Sequence, residues 1–290
     1  MSESVRKVFA ALILFAIPIV LFSAANAQTK ANCTFHLFKT PDIPLGVNDY
    51  GTVVGAARAT SKGFIRYSNG TVSYFQAPNA QNTSFTARNN SGVTVGGYLL
   101  SSQVTPVPGA GLILNGSKFT SVKYPNAVST GLTGINKYNT TVGVAGDSNY
   151  QSHAFKRYSN GSLVTLQYPG AQDTSPRAIN DHGTIVGMAA GHGFIYHGGT
   201  WAKVVFPGSG GGGSINGTAL LGISNNNVMV GQAFSSPPTS FLYTNGVFKI
   251  VLAPNSSNTQ VEGISPDGLI TGIAFINGVS EGRGFVARCQ

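Results

Sequence analysis

Charged residues are scarce in this 290-residue sequence: Asp, Glu, Lys and Arg make up only 9% of it. So low a content argues against an array of solvated helices, whereas 38 glycines and many Asn, Ser and Thr residues favour strands joined by turns. The net charge of +9 is scattered, and Lys156-Arg157 is the longest basic run. Such a distribution does not indicate a nucleic-acid partner.

Cysteine is almost absent. Cys33 and Cys289 are the two present, and they stand near opposite ends of the chain. Two cysteines cannot by themselves supply a four-ligand zinc site, and their spacing is not that of a C-x-x-C redox motif. In an exported protein an even count favours a disulfide.

Long apolar runs are also lacking, apart from one between Val8 and Phe22. Arg6 and Lys7 precede this run and Ala25-Asn26-Ala27 follows it, which predicts a signal peptide over residues 1–27 with cleavage before Gln28. The run is too short for a comfortable membrane span, so an uncleaved anchor is the weaker alternative. We therefore expect one monomeric domain over residues 28–290, with no membrane span, that is secreted, periplasmic or at the cell surface.

A helical hydrophobic period is missing too, and a repeated phrase takes its place. The pattern G-Φ-N-x-x-G-x-Φ-V-G occurs six times, starting at Gly46, Ala87, Gly134, Ala178, Gly222 and Gly263. Each copy continues into an aromatic-centred strand such as HAFKRY, and copies one to five add an Asn-Gly or Gly-Gly turn and a strand that ends in proline. A unit with a short first strand around Gly-Ile-Asn and three further strands is typical of a propeller blade. The sequence predicts an all-β fold, a six-bladed β-propeller of four-stranded antiparallel blades.

The sixth copy stops after three strands, at RGFVARCQ, and the segment CTFHLFKTP from Cys33 aligns with the fourth strand SLVTLQYP. The last blade is therefore predicted to be completed by the N-terminal strand. The same alignment places Cys33 and Cys289 on either side of a hairpin tip that the last blade lacks. A Cys33–Cys289 disulfide is expected to replace that turn.

His153-Ala154-Phe155, the GTIVG phrase and the QYPG ending together resemble the probable extracellular repeat (HAF) family, over about residues 33–290. The resemblance implies an exported bacterial repeat protein and specifies no activity. The histidine position is not shared between copies, since it is occupied in turn by Lys62, Ala110, His153, His192, Thr239 and Arg283. A role that requires imidazole would be absent from four of the six units.

Motifs for chemistry are weak. The G-x-S-x-G match at Gly278–Gly282 has no histidine after it, and the G-x-G-x-x-G match at Gly208–Gly213 precedes a strand, so both are interpreted as loops. Asp49, Asp181 and Asp267 are interpreted as turn formers. The remaining acids Asp147, Asp173, Glu262 and Glu281 are predicted in or near the variable loops. The sequence thus assigns no catalytic residue, no cofactor and no metal site.

The connections from strand two to three and from strand four to the next blade form what we call the variable-loop face, because the loops between strands two and three differ most in length. The ligand-contact candidates at this face are Tyr98, Tyr150, His153, His192 and Arg283, while Trp201 is expected in inter-blade packing. The leading hypothesis is a non-catalytic extracellular or envelope protein that binds or scaffolds a polysaccharide or another envelope protein. A carbohydrate-active lyase or hydrolase with a site near the central channel, and a purely structural matrix protein, are the alternatives.

Overall fold

The computed structural model describes residues 28–39, 42–102, 106–149, 151–209, 217–234 and 238–290. The predicted signal peptide and Tyr150 lie outside these residues. Across the described ranges every regular element is a β-strand. Strands β1 (Thr29–Lys30) and β2 (Cys33–Lys39) come first and join blades that are otherwise formed near the C-terminus.

Six four-stranded antiparallel blades follow one another around a ring, as predicted. Blades one to three contain β3 (Ile43–Val47), β4 (Val53–Ala57), β5 (Lys62–Arg66), β6 (Val72–Phe75); β7 (Ala80–Arg88), β8 (Val93–Leu100), β9 (Gly109–Asn115), β10 (Lys118–Val122); and β11 (Ser129–Ile135), β12 (Thr141–Gly146), β13 (Ser152–Arg157), β14 (Leu163–Leu166). Blades four to six contain β15 (Thr174–Ile179), β16 (Ile185–Ala189), β17 (His192–His197), β18 (Thr200–Val204); β19 (Thr218–Ile223), β20 (Met229–Ala233), β21 (Thr239–Thr244), β22 (Val247–Ile250); and β23 (Ser256–Ile264), β24 (Leu269–Ile276), β25 (Arg283–Cys289), with β2 as the fourth strand.

The ring closes as the sequence predicts. Strand β2 pairs antiparallel with β25, and Cys33 lies directly opposite Cys289, bonded to it with Cα atoms 4.0 Å apart. Strand β1 adds a parallel fifth strand to β22 of blade five, an addition that the sequence did not predict. The N-terminal segment therefore ties blade five to blade six at the point where the chain ends meet.

The repeated glycine and phenylalanine are two halves of one packing contact. In blade three a Cβ on Gly143 would lie 2.3 Å from the carbonyl oxygen of Gly131 and 2.7 Å from the ring of Phe155. Only glycine leaves room there for the fully buried Phe155 of the third strand. The glycine of strand two and the phenylalanine of strand three therefore appear together in the repeat because the phenylalanine ring packs across the glycine.

The first strand of each blade differs from its predicted position. It ends just before the repeated Asn or Ser instead of spanning it, as β15 does before Asn180. Five threonines near the start of these strands accept a hydrogen bond from a backbone N–H in the preceding connection; they are Thr83, Thr130, Thr174, Thr218 and Thr259. This repeated contact fixes how each blade enters the ring.

The turns between strands one and two lie on the opposite side from the variable loops, on what we call the hairpin face. There Asn136 accepts hydrogen bonds at Oδ1 from the amides of Tyr138 and Thr140, and its Nδ2 donates to the carbonyl oxygen of Asn180 in the next blade. Four such side-chain amides link blades one to five in the same way: Asn48, Asn89, Asn136 and Asn180, the last bonded to the carbonyl oxygen of Ser224.

Blades five and six carry serine at this position, so their junctions use other donors. The backbone N–H of Asn225 donates to the carbonyl oxygen of Pro266 over 2.9 Å, and the backbone N–H of Asp267 donates to the Asp49 carboxylate over 2.8 Å. A belt of hydrogen bonds therefore runs once around the ring on the hairpin face.

Candidate functional site

A cavity of about 470 Å³ opens on the variable-loop face where blade six meets blade one. We call it the blade 6–1 pocket, and its walls are formed by Asp42, Arg58, Ala59, Ile273, Phe275, Ser280, Glu281 and Gly282. Its volume lies within the range of about 300–1,000 Å³ that is usual for small-molecule sites.

Ring closure assembles this pocket from distant parts of the sequence. Asp42 directly precedes β3, Arg58 directly follows β4, and Glu281 lies in the loop between β24 and β25. Phe275, near the end of β24, supplies a partly buried aromatic wall. The side chains from the N-terminal and C-terminal blades share one cavity only because those blades are neighbours in the ring.

Asp42 is the buried acid of the pocket, with 7% of its surface exposed. Burial raises the pKa of its carboxyl group, and the hydrogen bond from the Tyr74 hydroxyl to Oδ2, at 3.5 Å, opposes that rise. The pKa of Tyr74 is in turn raised, by burial and then by the charge of Asp42. The pocket therefore holds a carboxyl group that is more easily protonated than an ordinary aspartate.

The pocket combines groups that suit a polyhydroxylated ligand. Carboxylates accept hydrogen bonds from hydroxyl groups, the guanidinium of Arg58 donates to oxygen, and Phe275 offers an apolar surface. Two acids and one guanidinium leave the pocket locally negative on a basic protein.

A second polar region lies on the ring axis, where each innermost strand carries a β-bulge. The bulged residues are Leu45, Thr86, Thr133, Arg177, Leu221 and Glu262. Bulges re-aim side chains and are frequent beside functional sites. Thr86 and Thr133 donate hydrogen bonds over 2.8 Å to carbonyl oxygens of the next blade, so they join blades.

Glu262 was predicted in or near a variable loop, and this is wrong: it lies within β23, in the wall of the ring. Burial raises the pKa of its carboxyl group, while the Gln232 amide at 3.4 Å and the charge of Arg177 act against the rise. Arg177, in β15 of blade four, is close enough to act electrostatically, yet the two side chains form no ion pair within 4 Å. The sequence missed this pair because bulges cannot be located from residue type.

His153 forms a small cluster with Asp147 and Tyr124 at the variable-loop face. Its Nε2 lies 3.1 Å from Oδ2 of Asp147, and its ring stacks on Tyr124 with centroids 5.8 Å apart. Oδ1 of Asp147 accepts the amide hydrogens of Asn149 and Gln151, and the Gln151 bond is the chief cause of the lowered pKa of Asp147. The cluster orders the loop between β12 and β13.

His192, by contrast, is only 5% exposed. Its Nδ1 lies 3.1 Å from the carbonyl oxygen of Gly193, and its ring meets Tyr168 edge-on at 4.9 Å. Trp201 packs against Tyr168, Phe194 and Tyr196, in keeping with the expected packing role. The structure thus gives His192 a packing environment.

The other ligand-contact candidates are dispersed. The hydroxyl of Tyr98 lies 2.9 Å from Ser121 Oγ, and its ring lies beside Phe119 within blade two. Arg283 is partly buried opposite Lys39 and Ala274, next to the blade 6–1 pocket but not in its wall. The candidates therefore do not converge on one site, and they stay predictions. Within the ranges that the structure describes, no group of three or more His, Cys, Asp or Glu residues could hold a metal ion, and no helix is long and apolar enough to cross a membrane.

Sequence reasoning overlooked the pocket because its acids looked unrelated. Glu281 belongs to a G-x-S-x-G match that was interpreted as a loop, and Asp42 stands near the other end of the chain. The signal was present in the predicted closure, since the strand that completes blade six leads directly into Asp42.

The fold and closure define a disulfide-closed six-bladed β-propeller. Solved structures with a similar β-propeller fold include virginiamycin B lyase from Staphylococcus aureus (TM-score 0.51, 9% identity, covering 89% of this chain and 99% of that one). A putative gluconolactonase (TM-score 0.51, 11% identity, 91% and 95% coverage) and the PQQ-bound aldose sugar dehydrogenase of Streptomyces coelicolor (TM-score 0.50, 8% identity, 90% and 100% coverage) are similar to the same degree. At these identities the likeness is one of fold alone. No protein-family model and no curated protein matches the sequence.

Proposed function

We propose that this chain is an exported β-propeller that binds a glycan in the blade 6–1 pocket without cleaving it. The observation that carries the proposal is the meeting of Arg58, Asp42 and Glu281 beside the Phe275 ring in one cavity on the variable-loop face. Export follows from the predicted signal peptide and from the resemblance to extracellular HAF repeats, and is part of the proposal.

Hydrolysis of the glycan is the second candidate, and one observation favours it. Inverting and retaining glycosidases use two carboxyl groups, one of them kept protonated by a raised pKa. Asp42, whose pKa is raised by burial, shares the pocket with Glu281 and could supply such an acid. The binding role is preferred because Glu281 lies on an exposed loop that nothing in the described residues fixes against Asp42.

The two roles separate in one experiment. Immobilised polysaccharides are incubated with the wild-type protein, and retained protein and released sugar are measured together. Binding without release of sugar supports the proposal, and release of sugar supports the hydrolase. If the protein shows neither binding nor release, the structural-matrix alternative is favoured.

Matched variants locate the activity. Arg58→Gln and Glu281→Gln should each weaken retention by about tenfold or more, the usual consequence of removing a charged hydrogen-bonding group. Lys203→Gln removes an exposed cation from β18, far from the pocket, and serves as the control for general charge attraction. Equal losses in Lys203→Gln and Arg58→Gln would contradict the assignment of the pocket.

A further inference from the structure

A narrow cavity of about 70 Å³ lies on the ring axis and is lined by residues of all six blades. The cavity lies next to the belt of hydrogen bonds on the hairpin face, because Asn89, Asn136 and Asn180 of that belt form part of its wall. Their side-chain amides already donate to the next blade, so they are not free to bind a ligand.

Three cations line this cavity: Arg88, Lys137 and Arg177. Arg88 donates a hydrogen bond to Thr94 Oγ1, and the ammonium group of Lys137 lies over the Tyr138 ring, so Arg177 is the cation that we consider for a ligand. It occupies the bulge of an innermost strand, where water can reach a side chain only through the channel, and yet it is exposed. Among the described residues it forms no hydrogen bond and no ion pair, and its charge acts on Glu262 from a longer distance. Asp181 lies in the wall of the cavity, and its carboxylate accepts hydrogen bonds from the backbone N–H of Lys137 and from Asn225 Nδ2, both over 2.8 Å.

The dimensions select a small anionic group. At about 70 Å³ the cavity lies well below the range of about 300–1,000 Å³ that is usual for small-molecule sites, so it suits a carboxylate better than a whole sugar ring. A planar guanidinium matches a carboxylate with two parallel hydrogen bonds.

The hairpin face around the cavity carries exposed aromatic rings that suit a sugar ring bound outside the cavity. On the hairpin face Tyr50 and Tyr138 expose 66% and 59% of their surface, at the turns of blades one and three. The ammonium group of Lys137 lies 5.0 Å from the Tyr138 ring. Exposed aromatic rings offer stacking surfaces, and the net charge of +9 attracts anions.

We propose that the axial cavity binds the carboxylate of an acidic sugar, a uronate, with Arg177 as its ion-pair partner. This site lies on the hairpin face, and it is independent of the glycan site proposed for the blade 6–1 pocket. Arg177 enters as a binding residue, and Glu262 is the like charge that the ligand must tolerate.

The test measures binding of glucuronate by calorimetry at low ionic strength, where charge pairing is least screened. Methyl glucoside is the neutral control, and N-acetylalanine presents a carboxylate without a sugar. Wild-type protein should bind glucuronate more tightly than methyl glucoside, and Arg177→Gln should reduce the affinity for glucuronate about tenfold or more. Lys203→Gln removes an exposed cation that lines neither cavity, and this variant should bind glucuronate like the wild type.

Glu262→Gln provides an independent variant. Because Glu262 carries the same negative charge as glucuronate, removing that charge near Arg177 should tighten glucuronate binding. Circular dichroism verifies that each variant is folded. Undiminished binding by Arg177→Gln, or weaker binding by Glu262→Gln, would overturn the proposal. Tighter binding of N-acetylalanine than of glucuronate would overturn the sugar assignment and indicate a peptide carboxylate instead.

Discussion

The two faces of the ring are built on opposite principles. On the hairpin face the same Asn or Ser turn recurs in each blade, and the turns are joined by one belt of hydrogen bonds. On the variable-loop face each blade junction is different, and two of them open into cavities of about 470 and 710 Å³. The repeated turns of the hairpin face hold the ring together, whereas the candidate sites are formed by loops that differ from blade to blade. Substitutions on the two faces should therefore have different consequences.

The largest effect is expected at the disulfide, which occupies the place of a missing turn on the hairpin face. Cys33→Ser with Cys289→Ser should lower the free energy of unfolding by about 5 kcal/mol, the chain-entropy value for so long a loop. The bond joins residues 256 positions apart. Guanidinium unfolding of the variant and of the wild type measures the loss.

Reduced wild-type protein is the control, and it should unfold at the same denaturant concentration as the double variant. An oxidised wild type no more stable than the variant would show that strand pairing alone closes the ring.

The belt can be broken at one blade. Asn136→Ala removes the acceptor of two turn amides and the donor to Asn180, and Asn136 is buried. We expect a loss of about 2–4 kcal/mol, because buried groups are left without partners. Urea unfolding measures it.

Asn136→Ser is the matched comparison, since serine stands at this position in blades five and six. Ser224 and Ser265 accept a turn amide through Oγ, so this variant should lose only about 1 kcal/mol. Equal losses for alanine and serine would show that the inter-blade bond, and not the turn, dominates.

On the variable-loop face one substitution should increase stability. Burial raises the pKa of Asp42 above its unfolded value of about 3.9. Between the unfolded pKa and the raised folded pKa of Asp42, the folded state binds more protons than the unfolded state. The stability of the wild type therefore falls as the pH rises through this range. Asp42→Asn removes this penalty and should raise Tm slightly at pH 7.

Thermal melts between pH 3 and pH 7 test the sign. The Tm difference between Asp42→Asn and the wild type should grow with pH and approach its smallest value below about pH 4. A difference that shrinks as pH rises would mean that the Asp42 charge is stabilised in the folded protein.

The smallest effect is expected at the His153 cluster. The pKa of Asp147 is lowered first by the amide of Gln151 and only then by His153. His153→Asn should therefore move the pKa of Asp147 only part of the way back to its ordinary value. Carbon-detected NMR titration measures it, and a complete return would assign the whole effect to the imidazole.

Much of the fold follows from the sequence because the same unit recurs six times. Phe155 and Gly143 appear together in the repeat because one packs on the other, and the two cysteines align with a missing turn. The first strands were predicted around Gly-Ile-Asn, and they end one residue earlier because the repeated Asn bonds to the amides of the turn, as Asn136 does. The parallel strand β1 has no counterpart in the repeat, so no periodicity could indicate it.

The candidate sites were harder to predict because they depend on what is not repeated. Asp42 and Glu281 meet only after closure, and Arg177 lines the axial cavity from a β-bulge. His192 occupies the same repeat position as His153, yet one is buried and the other is partly exposed. Equivalent positions in a repeat fix the backbone, whereas the neighbouring loops decide exposure.

The most direct test of the account is a crystal structure of the protein with an oligosaccharide from the polysaccharide that it retains. The account predicts an intact sugar in the blade 6–1 pocket, with hydroxyl groups bonded to Arg58 and to the carboxylates of Asp42 and Glu281. A cleaved sugar, or an empty pocket with the oligosaccharide bound elsewhere on the variable-loop face, would contradict it.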